Sequence, residues 1–369
     1  MEVNQLTPLQ SQPGTLWHSV AAGFWHTVAL RNDGTLWTWG GNDFGQLGDG
    51  MRGSLFTPMM IQPQERWQSV AAGPFHSAAV RADGSLWAWG LNTAQYLGDE
   101  PRGDWLTPVV IQPGSRWKAV TAGGYHTVAL DITGSLWAWG ANNSGQLGNR
   151  STSSSHVPVA IQSGSRWRAI AAGGQNTVAL REDGTLWAWG DNQFGQVGDG
   201  TVVNRSSPRA IEPAERWRSI AAGFAHSLAL RADGTLWAWG WNLWGQIGDG
   251  TLVNKGRPVA IQPGERWSAV AAGYANSFAL RTDGSLWAWG SNFAGALGDG
   301  TTEDRVEPTA IQPGVHWQAV APGGDHTLAL RADGTLWAWG TNDRGQLATS
   351  LWVRSHQVPG GFAWGVRQP

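Results

Sequence analysis

The pentapeptide LWAWG stands at residues 86–90 and returns at 136, 186, 236, 286 and 336, with LWTWG at 36. The spacing is fifty residues throughout. A period of that length marks a repeat architecture, in which each unit buries its apolar faces against its neighbours. Each unit opens on a tryptophan: Trp17, Trp67, Trp117, Trp167, Trp217, Trp267 and Trp317. The shared pattern is W-x-[SA]-[VI]-[AT]-[AP]-G-x-x-[HN]-[ST]-x-A-[LV], a short turn, then [TS]-L-W-[AT]-W-G-x-N. A variable loop follows, then P-x-x-I-Q-P-G or a close variant of it and the next tryptophan.

Each unit parses into four short strands. SVAAG (69–73) is the first, and HSAAV (76–80) follows a two-residue turn at Pro74 and Phe75. Asp83-Gly84 predicts a type I′ hairpin, because that turn needs positive φ. SLWAWG is the third strand, and a fourth is expected around Pro108 to Ile111, where proline suits an outer edge. No segment sustains a 3.6-residue period, so no helix is expected. Seven such units predict an all-β fold, a seven-bladed β-propeller of four-stranded antiparallel blades. Trp87 and Trp89 point to one face of the blade, Leu86 and Ala88 to the other. A large face then meets a small face on the next blade. The three repeated positions hold 21 of the 27 tryptophans, which are read as packing residues. Trp187→Ala is expected to cost about 3–5 kcal/mol.

Seven units supply first to third strands, but eight segments fit the fourth. Leu6-Thr7-Pro8-Leu9 lies one period before Pro58, and Ser355 to Pro359 is the other surplus candidate. Residues 6–10 are expected to complete the last blade and clasp the two ends of the chain. The propeller is then 1–347, with 348–369 an additional C-terminal tail.

Of 369 residues, 25 are basic and 27 acidic, a net charge of -2, which gives no general affinity for nucleic acid or anionic membrane. The absence of cysteine excludes disulfides and thiol chemistry. No apolar run approaches the roughly 18 residues of a spanning helix. The start, MEVNQLTPLQSQPG, has no signal-peptide pattern, and a cytoplasmic, monomeric protein is expected.

The run GFWHTVALRNDGTLWTWGGNDFGQLG (23–48) resembles the regulator of chromosome condensation repeat, and the resemblance extends over residues 1–347. It implies a seven-bladed propeller. Family members include a nucleotide exchange factor for a Ran-type GTPase, a plant UV-B photoreceptor and a bacterial β-lactamase inhibitory protein, so it implies no single function. Departures occur at Gln95-Tyr96-Leu97, Ala296, Ala348, Asn176 and Asn276. The photoreceptor's GWRHT signature is missing; GFWHT at 23–27 shifts the tryptophan and lacks the arginine.

Strand order sorts the loops into two ends. The Asp-Gly and Gln-Pro-Gly turns share one end, where Arg81, Arg181, Arg231, Arg281 and Arg331 stand near Asp83, Asp183, Asp233, Asp283 and Asp333. These read as exposed ion pairs worth about 0–1 kcal/mol each. The other end varies between units. Its short turns carry Phe24, Trp25, Phe75, Tyr125, Phe224 and Tyr274, and its long loops Phe44, Trp105, Phe194, Trp241, Trp244 and Phe293. Asp43, Asp191, Asp325 and Arg344 supply polar groups there. Aromatic anchors with a polar rim on a rigid scaffold fit a protein-binding surface. His26, His76, His126, His226 and His326 should circle the axis; because Asn fills two equivalent positions, a structural hydrogen bond to loop backbone is the expectation, not a metal. The GDG stretches at Asp49, Asp199, Asp249 and Asp299 lack a calcium loop's alternating oxygen ligands. No catalytic motif stands out, and nothing calls for a cofactor. The reading is a non-enzymatic protein-binding scaffold. Guanine nucleotide exchange on a small GTPase is the runner-up, with photoreceptor-like and carbohydrate-binding propellers behind it.

Overall fold

The computed structural model describes residues 4–92, 96–98 and 103–349. It forms seven four-stranded antiparallel sheets. Blade one runs from the inner strand Trp17–Ala22 through His26–Arg31 and Leu36–Gly40 to the outer strand Leu55–Ile61. Blades two to six repeat that order at fifty-residue intervals. Blade seven takes Trp317–Pro322, His326–Arg331 and Leu336–Gly340 from the end of the chain and its outer strand, Gln5–Ser11, from the beginning. Leu9 pairs with Ala338 and Ser11 with Leu336, so the expected clasp closes the ring. A 3-10 turn, Phe293–Gly295, is the one helical segment among the described residues. No helix there is long and apolar enough to cross a membrane. The expected tail lies outside the described residues from 350 onward, and Ser355–Pro359 with it.

The period-two patterning packs the ring as expected. Leu228, Leu230 and Leu236 of blade five meet Trp267 and Trp289 of blade six. Leu328, Leu330 and Leu336 meet Trp17 and Trp39 across the closing seam. The two tryptophans of LWAWG differ, however: Trp89 is buried and Trp87 only half-buried. Trp89 faces the middle of the seam, and its indole N–H donates to the Gln46 carbonyl of the preceding blade at 2.8 Å. The Ser77 hydroxyl donates to the same carbonyl at 2.8 Å, so both lone pairs are used. Because the acceptor is backbone, Ala296 replaces Gln in blade six without loss: its carbonyl accepts from Thr327 and Trp339.

The turn end departs from the sequence reading in two ways. The hairpin is a three-residue loop, closed by Gly84 N–H to Arg81 C=O at 2.9 Å, and only Gly84 has positive φ (83°). Asp83 instead accepts the Ser85 N–H and hydroxyl, at 2.8 and 2.6 Å, and Ser85 Oγ accepts the Trp87 indole N–H at 2.9 Å. Those hydrogen bonds hold the Asp83 carboxyl below its ordinary value, the hydroxyl first. They also explain why Ser or Thr precedes Leu-Trp in the six units that carry the Asp-Gly pair. Nor are Arg81 and its equivalents paired mainly with these aspartates. Arg81 lies over the Trp87 ring, 3.8 Å from its centroid, and near Trp67 at 5.0 Å. Its guanidinium also reaches Gln62 and, at 3.4 Å, Glu65 on the next turn. Arg31, Arg181, Arg231, Arg281 and Arg331 repeat the stack. Blade three has Asp131 instead, which accepts the Trp137 indole N–H at 3.1 Å.

Candidate functional site

At the loop-rich end the inner strands converge on glycines, and the chain has room for nothing larger. A Cβ on Gly23 would lie 2.7 Å from the Gly73 carbonyl, one on Gly123 2.6 Å from that of Gly173, and one on Gly223 2.6 Å from that of Gly273. Backbone hydrogen bonds run from blade to blade around this annulus. Gly124 N–H donates to Gly173 C=O at 3.0 Å, Gly174 to Phe224 at 3.0 Å, and Tyr274 to Gly323 at 3.2 Å. Together with Pro74 and Phe224, these glycines line an axial cavity of about 230 Å³.

The histidines lie beneath the annulus and are fully buried. His26 Nε2 contacts Ser77 Oγ of the next blade at 2.8 Å, His126 contacts Thr177 at 3.0 Å and His226 contacts Ser277 at 2.9 Å. The Ser77 proton goes to Gln46, so His26 donates from Nε2. The expected partner was loop backbone; the observed one is a neighbouring blade's hydroxyl. Asn176 fills the same slot with neither amide atom hydrogen-bonded among the described residues, and neither ring nitrogen of His326 is, so the hydroxyl contact is not common to every blade. Burial drives His26 and His126 down to about 3 and His76, His226 and His326 to about 4, with neighbouring histidines adding to the shift at His26 and His126. All five are neutral near pH 7.

Above the annulus the aromatic residues meet. Phe24 packs edge-on to Trp25 at 5.0 Å and to Tyr274 at 5.6 Å, and stacks on Phe75 at 6.4 Å. Phe75 touches Phe44 at 5.3 Å and Tyr125 at 6.1 Å, and Tyr125 continues to Tyr96 at 5.9 Å. In the other direction Tyr274 meets Phe224 at 4.5 Å, Phe224 meets Trp241 at 6.5 Å, and Trp241 meets Phe194 at 5.6 Å and Trp244 at 4.4 Å. The result is one unbroken arc of rings across the mouth. Glycine makes it continuous: a Cβ on Gly324 would lie 2.9 Å from the Phe24 ring, and one on Gly174 would lie 2.8 Å from Phe224. Gly324 therefore lets Phe24 of blade one reach past blade seven to Tyr274 of blade six.

Two aromatic candidates fall outside the arc. Trp105 is no loop residue; it opens the outer strand Trp105–Ile111 and is 3% exposed, so its side chain is core. Phe293 sits in the 3-10 turn and is 66% exposed. The polar candidates are scattered. Arg344 pairs with Asp43 at 2.9 Å and lies over Trp25 at 5.6 Å, tying blade seven to blade one. Asp191 accepts from Gln196 Nε2 at 2.8 Å within its own loop. Asp325 takes the ring position that Trp25 and Phe75 hold in their blades, and partial burial raises its carboxyl above the ordinary value. The Asp199 carboxylate of one GDG stretch is engaged by Thr201 and Arg205.

Residues that the sequence reading did not assign to the site include Tyr96, noted only as a repeat departure where five other units have Gln, and the exposed aliphatics Val202, Val203, Leu243, Leu252 and Val253 on the loops of blades four and five. The Gly-Gly pairs at 123–124, 173–174 and 323–324 were the available signal for rings leaning across neighbouring blades.

Residues 2–268 match the family model for the RCC1-like domain. The chain belongs to that family. Models of the regulator of chromosome condensation (RCC1) repeat match residues 267–296, 283–330 and 317–346. Among solved structures, yeast RCC1 (Prp20) bound to Kap60 is 26% identical, with 89% of this chain and 82% of that chain covered and a TM-score of 0.74. Prp20p from Saccharomyces cerevisiae, described with its binding properties to Gsp1p and histones, is 25% identical over 89% and 84%, at 0.73. Human WBSCR16 is 24% identical over 89% and 90% at 0.80, a likeness of fold. This RCC1-like propeller therefore shares a scaffold with proteins whose partners are proteins, while its own mouth is built from positions that vary from repeat to repeat.

Proposed function

We propose that this chain is a non-enzymatic, protein-binding RCC1-like propeller that receives its partner on the loop-rich mouth. The continuous aromatic arc from Tyr125 through Phe24 to Trp244 carries the reading. Most of its rings are half-exposed and held by one another, so little side-chain freedom remains to be lost on binding. Rigid aromatic anchors with a polar rim make a strong protein-binding surface. In this reading Trp25, Phe44, Trp241 and Trp244 are the anchors, with Phe24, Phe75, Tyr125, Phe194, Phe224 and Tyr274 around them. Asp43, Asp191, Asp325 and Arg344 discriminate at the rim. The yeast relatives, one in complex with Kap60 and one described as binding Gsp1p and histones, lend support by kinship.

The test is affinity capture with the native chain and with a Trp25→Ala, Trp241→Ala, Trp244→Ala variant of matched melting temperature. A partner held by the native chain and lost by the variant supports the mouth as the binding face. A partner held equally by both moves the site elsewhere.

A further inference from the structure

At the mouth, the long loop of one blade meets the residue that stands two places after the annular glycine of the next. Phe44 packs on Phe75 at 5.3 Å, the Ser144 hydroxyl bonds Gln175 at 2.9 Å, and Arg344 lies over Trp25 at 5.6 Å. Where the second residue is small, as at Ala225 and Ala275, the loop position carries Phe194 or Trp244. The seam between blades six and seven follows neither pattern. Its loop residue is Ala294 and its second residue is Asp325. The loop also turns differently there: Ala294 has φ 54°, a left-handed conformation that Phe44, Ser144, Phe194, Trp244 and Arg344 do not adopt.

Asp325 is half-buried, yet its carboxylate makes no hydrogen bond or ion pair among the described residues. Burial alone raises it above its ordinary value, with no neighbouring cation to bring it down. A second polar group stands beside it. In blade one a Cβ on Gly41 would lie 3.0 Å from the Cβ of Trp25, and the same two places in blade seven are Thr341 and Asp325. The Thr341 N–H donates to the Asp325 carbonyl at 2.8 Å, while its buried hydroxyl has no partner among the described residues. Aromatic surface flanks the pair. The Phe24 ring lies against Gly324, the residue before Asp325, and Phe293, the residue before Ala294, is 66% exposed.

We propose that Asp325 is the floor of a slot that receives a basic side chain, lysine or arginine, of the protein partner. The proposal rests on the mouth being the binding face, and it names the chemistry of one contact there. The next seam shows the complement already in place. Arg344, at the position of Ala294, pairs with the Asp43 carboxylate at 2.9 Å and covers the Trp25 ring. Between blades six and seven the carboxylate and the rings are present and the cation is missing. An ammonium or guanidinium entering the slot would donate to Asp325 and to the Thr341 hydroxyl, with its stem or its charge against Phe24 and Phe293. A neutral side chain in the same place would leave the carboxylate covered and unpaired, so the slot selects for positive charge.

The slot is tested with N-acetyl-arginine methylamide and N-acetyl-lysine methylamide, and with the glutamine analogue as the neutral control. Binding to the full chain is followed by saturation-transfer NMR, and its place by the methyl resonance of Ala294. At least one basic amide should bind saturably at millimolar concentration and shift that methyl, while the glutamine analogue should not. Asp325→Asn should weaken the binding roughly tenfold or more. Ala294→Arg, which copies Arg344, should fill the slot from within and abolish it. Absence of saturable binding, equal binding of the glutamine analogue, or binding unchanged in either variant overturns the proposal. Partner capture separates this contact from the mouth as a whole. An Asp325→Asn chain that keeps a partner lost by the triple tryptophan variant overturns the slot and leaves the mouth standing. If the basic amides bind as expected but the triple variant keeps its partner, it is the mouth reading that fails.

Discussion

At one end of the ring six of the seven blades set an arginine on a tryptophan, and six set an aspartate on a serine or threonine. At the other end the residue after the annular glycine is Phe, Pro, Gly, Gly, Phe, Tyr and Gly from blade one to blade seven. The constant end is closed chemistry. Asp83, Ser85, Trp87 and Arg81 satisfy one another largely within a blade, and each seam repeats the solution. The variable end is different because the layer beneath it is constant: glycine backbone and buried histidine hold the blades together there. The side chains above are released from that task, and they make contacts that no symmetry requires.

The largest effect should come from acid, and it acts through the histidines under the variable end. Unfolded, each histidine takes up a proton near pH 6.5; folded, these five resist until about pH 3 to 4. The unfolded chain therefore binds more protons between those limits, and stability is lost as pH falls from about 6.5 toward 4, by up to about 1.4 kcal/mol per pH unit per histidine. The turn-end aspartates are held below their ordinary 3.8, so their loss comes later. His126→Asn, which copies blades four and six, should flatten the slope of unfolding free energy between pH 6.5 and 4.5. An unchanged slope would show that the buried histidines do not set the acid limit.

Next in size is the difference between the two tryptophans of one strand. Trp189 is fully buried and donates to Gln146, while Trp187 is half-buried beneath Arg181. In denaturant melts Trp189→Ala should cost about 3–5 kcal/mol; for Trp187→Ala the half-buried position lowers the sequence-based expectation of about 3–5 kcal/mol to roughly half of it. Equal losses would mean that the turn-end stack holds the ring as firmly as the mid-seam packing does.

The smallest effect tests whether the constant end is optimised. Blade three has Asp131 and Thr133 where other blades have Arg and Asp. Asp131→Arg with Thr133→Asp should restore the stack on Trp137 and stabilise the chain by about 0.5–1 kcal/mol. Destabilisation would mean that blade three has adjusted around Asp131.

The ring, the clasp and the large-against-small seams were legible because each follows from period, alternation or count. What escaped depends on distances that the chain order hides. Arg81 was matched with Asp83, two residues away, although it stacks on Trp87, six residues later, with Trp67, fourteen residues earlier, beside it across the strand pair. The Asp-Gly pair announces a hairpin but not the number of residues in its loop. Trp105 read as loop because only its proline marked the strand, which begins three residues before Pro108. The aromatic residues of the mouth were all visible one by one. Their union was not, because Phe24 meets Tyr274 only by crossing a glycine of a third blade.

The pairing of the first strand with the last blade has a consequence for how the protein is made. Ser11 and Leu347 are 336 positions apart, and Ser11 leaves the ribosome first. At roughly 5–20 residues per second its partner follows only after some 15 to 70 seconds. During that wait six other LWxWG strands emerge, each offering the waiting first strand nearly the same edge. Only timing separates right from wrong: every earlier blade receives its own outer strand some fifteen residues after its edge appears, before a distant competitor can diffuse to it.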